Sequence, residues 1–295
     1  MPAPYSIFCA DPLSPRSFDP AFKAEVDAAR DAGFTPVRLD HDELDQRVNA
    51  EAALRPARFD GDGRAIYRGW MLSGAAYAAM YEALARRGVD LLTTPVSYEA
   101  CHTTPGSYNA LRDWMPETTW APVASIDDAQ AVRSALSRFG SSPIIVKDWV
   151  KSQAAGYWTE ACFIPDAADV EAASRVIARF RELQGDSLVG GLVFKRYAPL
   201  LPVGAPALEH RAFIVDGKVI GCWPRSAPAA QMGSPPHALL EAVASKVPSP
   251  FASADFGRGQ DGRWWLLEVG DGQVSGLPDD AAAAPIFAAL ALLAG

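Results

Sequence analysis

Residues Phe251–Pro278 read FASADFGRGQDGRWWLLEVGDGQVSGLP. Two runs rich in apolar and aromatic residues flank Asp261-Gly262, a dipeptide suited to the positive φ values of a tight hairpin turn. With those two residues as the loop, Asp255 lies directly opposite Glu268, with Cβ atoms roughly 5 Å apart. Any even-length loop keeps the two on one face. The alternation agrees: Ala254, Phe256, Trp265, Leu267 and Val269 form an apolar face, and Ser253, Asp255, Trp264, Leu266 and Glu268 share the other. Facing carboxylates repel each other unless a metal ion or an arginine lies between them. The alternative is two solvated carboxylates on an exposed face. The rest of the chain weighs on that choice.

The chain has 295 residues and is 49% hydrophobic, enough for one large domain or two domains with a substantial core. With 27 basic against 35 acidic residues the net charge is −8, which argues against broad electrostatic binding to nucleic acid or anionic membrane. Cys9, Cys101, Cys162 and Cys222 are far apart and show no CxxC spacing, so reduced, cytosolic thiols are expected rather than zinc ligands or disulfides. The start, MPAPYSIFCADP, lacks the pattern of a secretion signal. The alanine-rich Ala281–Leu293 segment contains Pro285, is too short to span a bilayer and reads as a packed terminal helix.

From Tyr5 to about residue 95, short apolar runs alternate with amphipathic segments: Tyr5–Cys9, Pro20–Ala32, Pro36–Leu39, Ala65–Trp70, Ala75–Arg87 and Val89–Thr94. That alternation predicts an α/β domain with a parallel sheet, whose ligand sites lie at the carboxyl ends of its strands. Arg68 sits at such an end and is a candidate to hold an anionic group of a substrate; a surface or domain-contact role is the alternative. Residues 96–120 contain Pro105, Gly106 and Pro116 and read as a loop-rich transition with one short helix. The expected division is 1–112 and 113–295, the latter with a smaller lobe at about 113–192 and a C-terminal lobe at about 193–295. The second block reads as α+β: helix Asp127–Phe139, strand Pro143–Val150, helix Ala167–Leu183, strand Leu188–Tyr197, a hairpin Glu209–Trp223 turning at Asp216-Gly217, and a helix from about Ala238 to Lys246.

Strand Pro143–Val150 carries Lys147 inside an apolar run, followed by Lys151-Ser152 and Gly156. Such donors suit polyphosphate oxygens, although a snorkelling Lys147 and a solvated Lys151 would look alike. No GxxxxGK[ST] and no GxGxxG after the first strand are present. The middle hairpin adds Glu209 and Arg211 on one face, with Arg225 beyond its return strand. Arginines so placed neutralise a phosphoryl group in transfer; ordinary edge-strand charges are the alternative.

The order of these parts resembles the ATP-grasp superfamily of carboxylate ligases over about residues 110–278, preceded by an α/β block like the domain that comes before it in such enzymes. EHRAFIVDGKVIGCWPRS is similar to the arginine-bearing hairpin of amino-acid-adding peptide ligases, and ADFGRGQDGRWWLLEVGDGQVSGLP to their metal-binding hairpin. The resemblance implies ATP and Mg²⁺ as cofactors. It assigns Lys147 to the α and β phosphates and Lys151-Ser152 to the loop that closes over the triphosphate. Phe194–Tyr197, with Lys195, Arg196 and Tyr197, matches the linker whose backbone reads the adenine edge. Glu209 matches the acid on the ribose, Leu266 the side chain against adenine, Arg211 and Arg225 the catalytic pair gripping the γ-phosphate and acyl phosphate, and Asp255 and Glu268 the magnesium ligands.

Two positions depart from that pattern. Lys195 stands where many relatives have an acid, and Gly270 stands where most have a metal-binding asparagine, so Asp271 becomes the candidate third ligand. The accumulation of Lys147, Lys151, Lys195, Arg196, Arg211 and Arg225 resembles an ATP-grasp branch marked by extra lysines and arginines. The implied reaction activates a carboxylate as an acyl phosphate and couples it to an amine or similar nucleophile on a small molecule or peptide. A small-molecule kinase and a non-catalytic nucleotide-binding module are the alternatives. His41, His102, His210 and His237 sit in no recognisable triad and read as ordinary polar residues. A cytoplasmic protein is expected, without nucleic-acid or membrane partners; a homodimer is compatible with the sequence.

Overall fold

The computed structural model describes residues 3–202 and 207–295. They form two compact units: Met1–Cys101 with Leu208–Phe256 and Val269–Gly295, and His102–Ala207 with Gly257–Glu268.

In the first unit β1 (Tyr5–Asp11) leads through β2 (Ser14–Phe18) and α1 (Lys23–Asp31) to β3 (Thr35–Leu39). Two short helices, α2 (His41–Asp45) and α3 (Ala50–Ala53), precede β4 (Gly63–Arg68), α4 (Gly74–Ala85), β5 (Val89–Leu91) and α5 (Pro95–His102). β1 pairs in parallel with β3 and β4, and β4 with β5, as the alternation predicts. β2, which the apolar pattern does not show, pairs antiparallel with the end of β1. Its sequence, SPRSF, is almost wholly exposed and so leaves no periodic signature.

In the second unit α6 (Thr104–Leu111), β6 (Thr118–Pro122), α7 (Ala129–Ser137), β7 (Ile144–Asp148), α8 (Ala154–Tyr157), β8 (Phe163–Ile164), α9 (Val170–Gln184) and β9 (Gly191–Arg196) follow in order. Its antiparallel sheet runs β6-β9-β7-β8. Ile144, Val146, Leu192 and Phe194 bury one face with Ile177 and Phe180 of α9. Residues 96–120 therefore hold two helices and a strand instead of one short helix.

The chain returns through β10 (Glu209–Val215), β11 (Lys218–Pro224), α10 (His237–Ala244), β12 (Phe251–Arg258), β13 (Trp264–Asp271) and α11 (Ala283–Ala294). These four strands form a sheet in the order β11-β10-β12-β13. The β10–β11 turn is the expected one: Asp216 and Gly217 both have positive φ, +50° and +70°. Phe287 of α11 packs against Phe8 and Phe34 with ring centroids 6.1 and 6.0 Å away. Among the described residues no helix is long and apolar enough to cross a membrane.

The β12–β13 turn differs from the two-residue loop expected of Asp261-Gly262. Gly262 N–H donates to Gly259 O at 2.9 Å and Gly259 N–H to Arg263 O at 2.7 Å, which makes Gln260–Gly262 a three-residue loop. Gly262, at φ +86°, takes the left-handed position such a loop needs. At the far end of the hairpin Gly272 N–H donates to Phe251 O at 3.0 Å, the pairing that the sequence register predicts there.

Candidate active site

In the first unit the side chains of β10, the residue after β11, and β12 meet in one charge network. Arg211 grips Asp255 through both oxygens, Nε to Oδ1 and Nη2 to Oδ2 at 2.7 Å each, and its Nη1 donates to Gly276 O at 2.9 Å. Arg225 Nη1 reaches Asp255 Oδ2 at 3.0 Å and Glu209 Oε2 at 2.8 Å. The planar guanidinium matches a carboxylate edge, which is why arginine is suited to this grip. The Asp255 side chain is only 7% exposed, so its charge needs these partners.

In the second unit the sheet presents a polar face opposite its core. Directly paired residues share a face, so Thr118, Lys195, Ile145 and Phe163 form one row, and Trp120, Val193 and Lys147 the next. Lys147 Nζ bonds Glu268 Oε1 at 2.6 Å. Lys195 Nζ donates to Leu267 O, and Leu266, fully buried, is anchored by its N–H to Trp114 O at 3.0 Å. Lys151 and Ser152 lie exposed in the loop after β7. His102 belongs to the same neighbourhood: burial pushes its pKa down to about 4, with Glu268 and Asp148 opposing and Lys151 and Lys147 assisting. The imidazole is therefore neutral near pH 7. Sequence reading left this histidine aside because its neighbours arrive from β7, the following loop and β13.

Several expectations need correction. Arg68 is no open anion grip: its guanidinium is 1% exposed and holds Glu25 through both carboxylate oxygens, the Gly272 carbonyl, and Ser275 O at 2.9 Å. It pins the segment after β13 to the core. Asp271 does not stand in for the missing asparagine. Three residues after Glu268, it lies on the opposite face of β13, fully buried, accepting from Gln273 N and Nε2 at 3.0 Å each and from Ser249 Oγ at 3.3 Å. Arg196 points to the core side of β9, where it bonds Glu117 and Ser142. Its N–H is engaged with Glu117 O at 2.8 Å, and that of Tyr197 with Pro143 O at 2.9 Å. Neither N–H is open to a purine edge. The Tyr197 ring instead packs against Trp158 and Phe163.

Burial raises the Asp271 pKa to about 7, against the hydrogen bonds of Gln273 and Ser249 and the charge of Arg68. A carboxyl group whose folded pKa exceeds its unfolded value stabilises the fold fully below the unfolded pKa and loses that contribution as pH rises through the folded one. Stability is expected to decline between about pH 4 and pH 7 by as much as about 4 kcal/mol from this group. Asp271→Asn, whose amide oxygen can still accept from Gln273, flattens that slope. Urea unfolding across this pH range checks it, and an unchanged slope would exclude Asp271 as its source.

Among the described residues no group of three or more His, Cys, Asp or Glu side chains is arranged to hold a metal ion. The carboxylate oxygens of Asp255 and Glu268 nevertheless fit Mg²⁺, which binds one or two carboxylates and takes its other ligands from phosphates and water. The donor set fits a metal that arrives with a phosphate-bearing ligand.

The fold and these charged strands define an ATP-grasp protein. A family described as an ATP-grasp domain, the third family of its clade, matches residues 138–291, more than half of the chain, and the chain belongs to that family. D-cycloserine synthetase DcsG shares the fold at a TM-score of 0.65 and 17% identity, over 99% of this chain and 100% of that one. A RimK domain ATP-grasp protein from Sphaerobacter thermophilus does so at 0.62 and 16%, covering 99% of both. The ATP-grasp ligase PsnB, solved with a phosphomimetic variant of its minimal precursor, Mg and ADP, matches at 0.58 and 14%, over 98% of this chain and 97% of that one. No curated protein sequence matches the chain.

Proposed function

We propose that the protein is an ATP-dependent ligase that activates a carboxylate as an acyl phosphate and joins it to an amine or similar nucleophile. One observation carries the reading. Each carboxylate expected to hold magnesium is bonded to cations expected to hold phosphate: Asp255 to Arg211 and Arg225, and Glu268 to Lys147. In the free protein these charges compensate one another. A magnesium–triphosphate offers both sets new partners of the required sign, so the exchange leaves no charge without a counterpart.

In this proposal Asp255 and Glu268 ligate Mg²⁺, which when bound neutralises charge on the transferring phosphoryl group. Lys147, Lys151 and Ser152 hold phosphate oxygens, and Arg211 and Arg225 steady the γ-phosphate and the acyl phosphate, a task of placement and charge. Glu209 takes the ribose, and Leu266 and Lys195 border the purine. Support for ligation comes from the family and from the ligases sharing the fold, whose substrates include a precursor peptide in PsnB. A small molecule or peptide acceptor in the cytoplasm, without nucleic acid or membrane, completes the reading. The sequence boundaries 1–112 and 113–295 remain its division into preceding domain and ATP-grasp domain. A small-molecule kinase would use the same groups and leave a stable phosphorylated product instead of free phosphate. The testing experiment is a structure with Mg²⁺ and a non-hydrolysable ATP analogue.

A further inference from the structure

The loop that carries Lys151 and Ser152 is held from behind by a carboxylate to which no role has been assigned. Asp148 ends β7, one residue after Lys147, and strand alternation turns it to the core side while Lys147 faces the polar side. It is fully buried. Its Oδ1 accepts from Val150 N–H at 2.7 Å and from Lys151 N–H. Its Oδ2 accepts from Gln184 Nε2 at 2.6 Å and Val189 N–H at 3.3 Å. A carboxylate offers about four lone-pair positions. Here each oxygen takes two donors, so the whole accepting capacity is directed to protein groups. The Asp148 N–H closes the turn on Lys151 O at 3.0 Å, and Gln184 extends the hold by accepting from Gln153 Nε2. One buried charge thereby fixes the backbone at Val150 and Lys151 directly, and the Gln153 side chain through Gln184.

We infer that Asp148 is a positioning residue: it sets the Lys151 backbone so that the lysine head and the Ser152 hydroxyl stand ready for an anionic ligand. The role rests on the nucleotide reading proposed above. Asp148 touches no ligand itself, because it lies on the other side of the sheet from Lys147. Preorganising a binding loop in this way improves affinity by removing the ordering cost at the moment of binding.

Asp148→Asn is nearly isosteric but turns an NH₂ group toward two donors. With Mg²⁺ and a non-hydrolysable ATP analogue, calorimetry is expected to show a dissociation constant raised about ten- to a hundredfold, the range for supporting groups behind a ligand. In a Lys151→Ala background the same substitution is expected to add little, since coupled residues give non-additive changes. Hydrogen exchange of the ligand-free protein is expected to quicken over residues 149–153. Gln184→Met, which keeps the Asp148 charge, gives a milder version of both effects and serves if Asp148→Asn does not fold. Equal weakening with and without Lys151 would reduce Asp148 to general support of the fold and overturn the inference. So would unchanged affinity in Asp148→Asn while the unaltered protein binds. Failure of the unaltered protein to bind the analogue would overturn the nucleotide reading, and this role with it.

Discussion

Glu268→Gln is expected to lower Mg²⁺-dependent ATP turnover by on the order of 10²–10³-fold, the loss that follows removal of one electrostatic stabiliser from a reacting site. The substitution keeps the side chain's length and an oxygen for Lys147 while removing the charge a metal requires. The Glu268 side chain is 47% exposed, so the fold does not rest on it. Thermal unfolding should therefore remain close to that of the unaltered protein, as surface changes away from packed features usually shift stability by less than about 0.5 kcal/mol. ADP release measured beside a melting curve separates the two effects. Unchanged turnover would reject Glu268 as a metal ligand.

Arg68→Met has the opposite profile, with its effect on stability. The Arg68–Glu25 pair has side chains 1% and 7% exposed, and removing one partner leaves a buried charge uncompensated. Losses of about 3–5 kcal/mol follow from such a break. Gly272 and Ser275 also lose their shared donor, which loosens the segment beyond β13. Combining Arg68→Met with Glu25→Leu is expected to recover a large part of the loss, because buried ion pairs replaced whole by apolar groups are often near neutral. Urea unfolding of the two single variants and the double variant measures this. A loss in Arg68→Met no larger than that of an exposed ion pair, about 1 kcal/mol or less, would contradict the structural role.

Much of the architecture was legible because its signals are local. The alternation from Tyr5 to Val89 gave the parallel sheet, and Asp216-Gly217 gave a turn with two positive φ values. The missed elements hide behind residues with two meanings. Pro95 and Pro105 read as breakers, yet each lies in the first turn of a helix, where a missing N–H costs nothing. Thr103 caps the second of these helices by accepting from Gly106 N–H at 3.3 Å. In the candidate site, strand parity placed Glu209 and Arg211 together, and Lys147 in a strand. The same parity, applied to Asp271, would have separated it from Glu268. Arg68 was beyond local reading, because its partners lie 43 and more than 200 residues away in the chain. Asp148 escaped for a similar reason: Gln184 and Val189 reach it only after α9 packs on β7.

The most direct test of the account is a crystal structure of the protein with Mg²⁺ and a non-hydrolysable ATP analogue. The account predicts magnesium on the carboxylate oxygens of Asp255 and Glu268, at the roughly 2.0–2.1 Å typical of this ion. Lys147 and Arg211 would have moved from those carboxylates to the phosphates. A bound analogue that leaves the Lys147–Glu268 and Arg211–Asp255 pairs intact, with its metal held elsewhere, would contradict it.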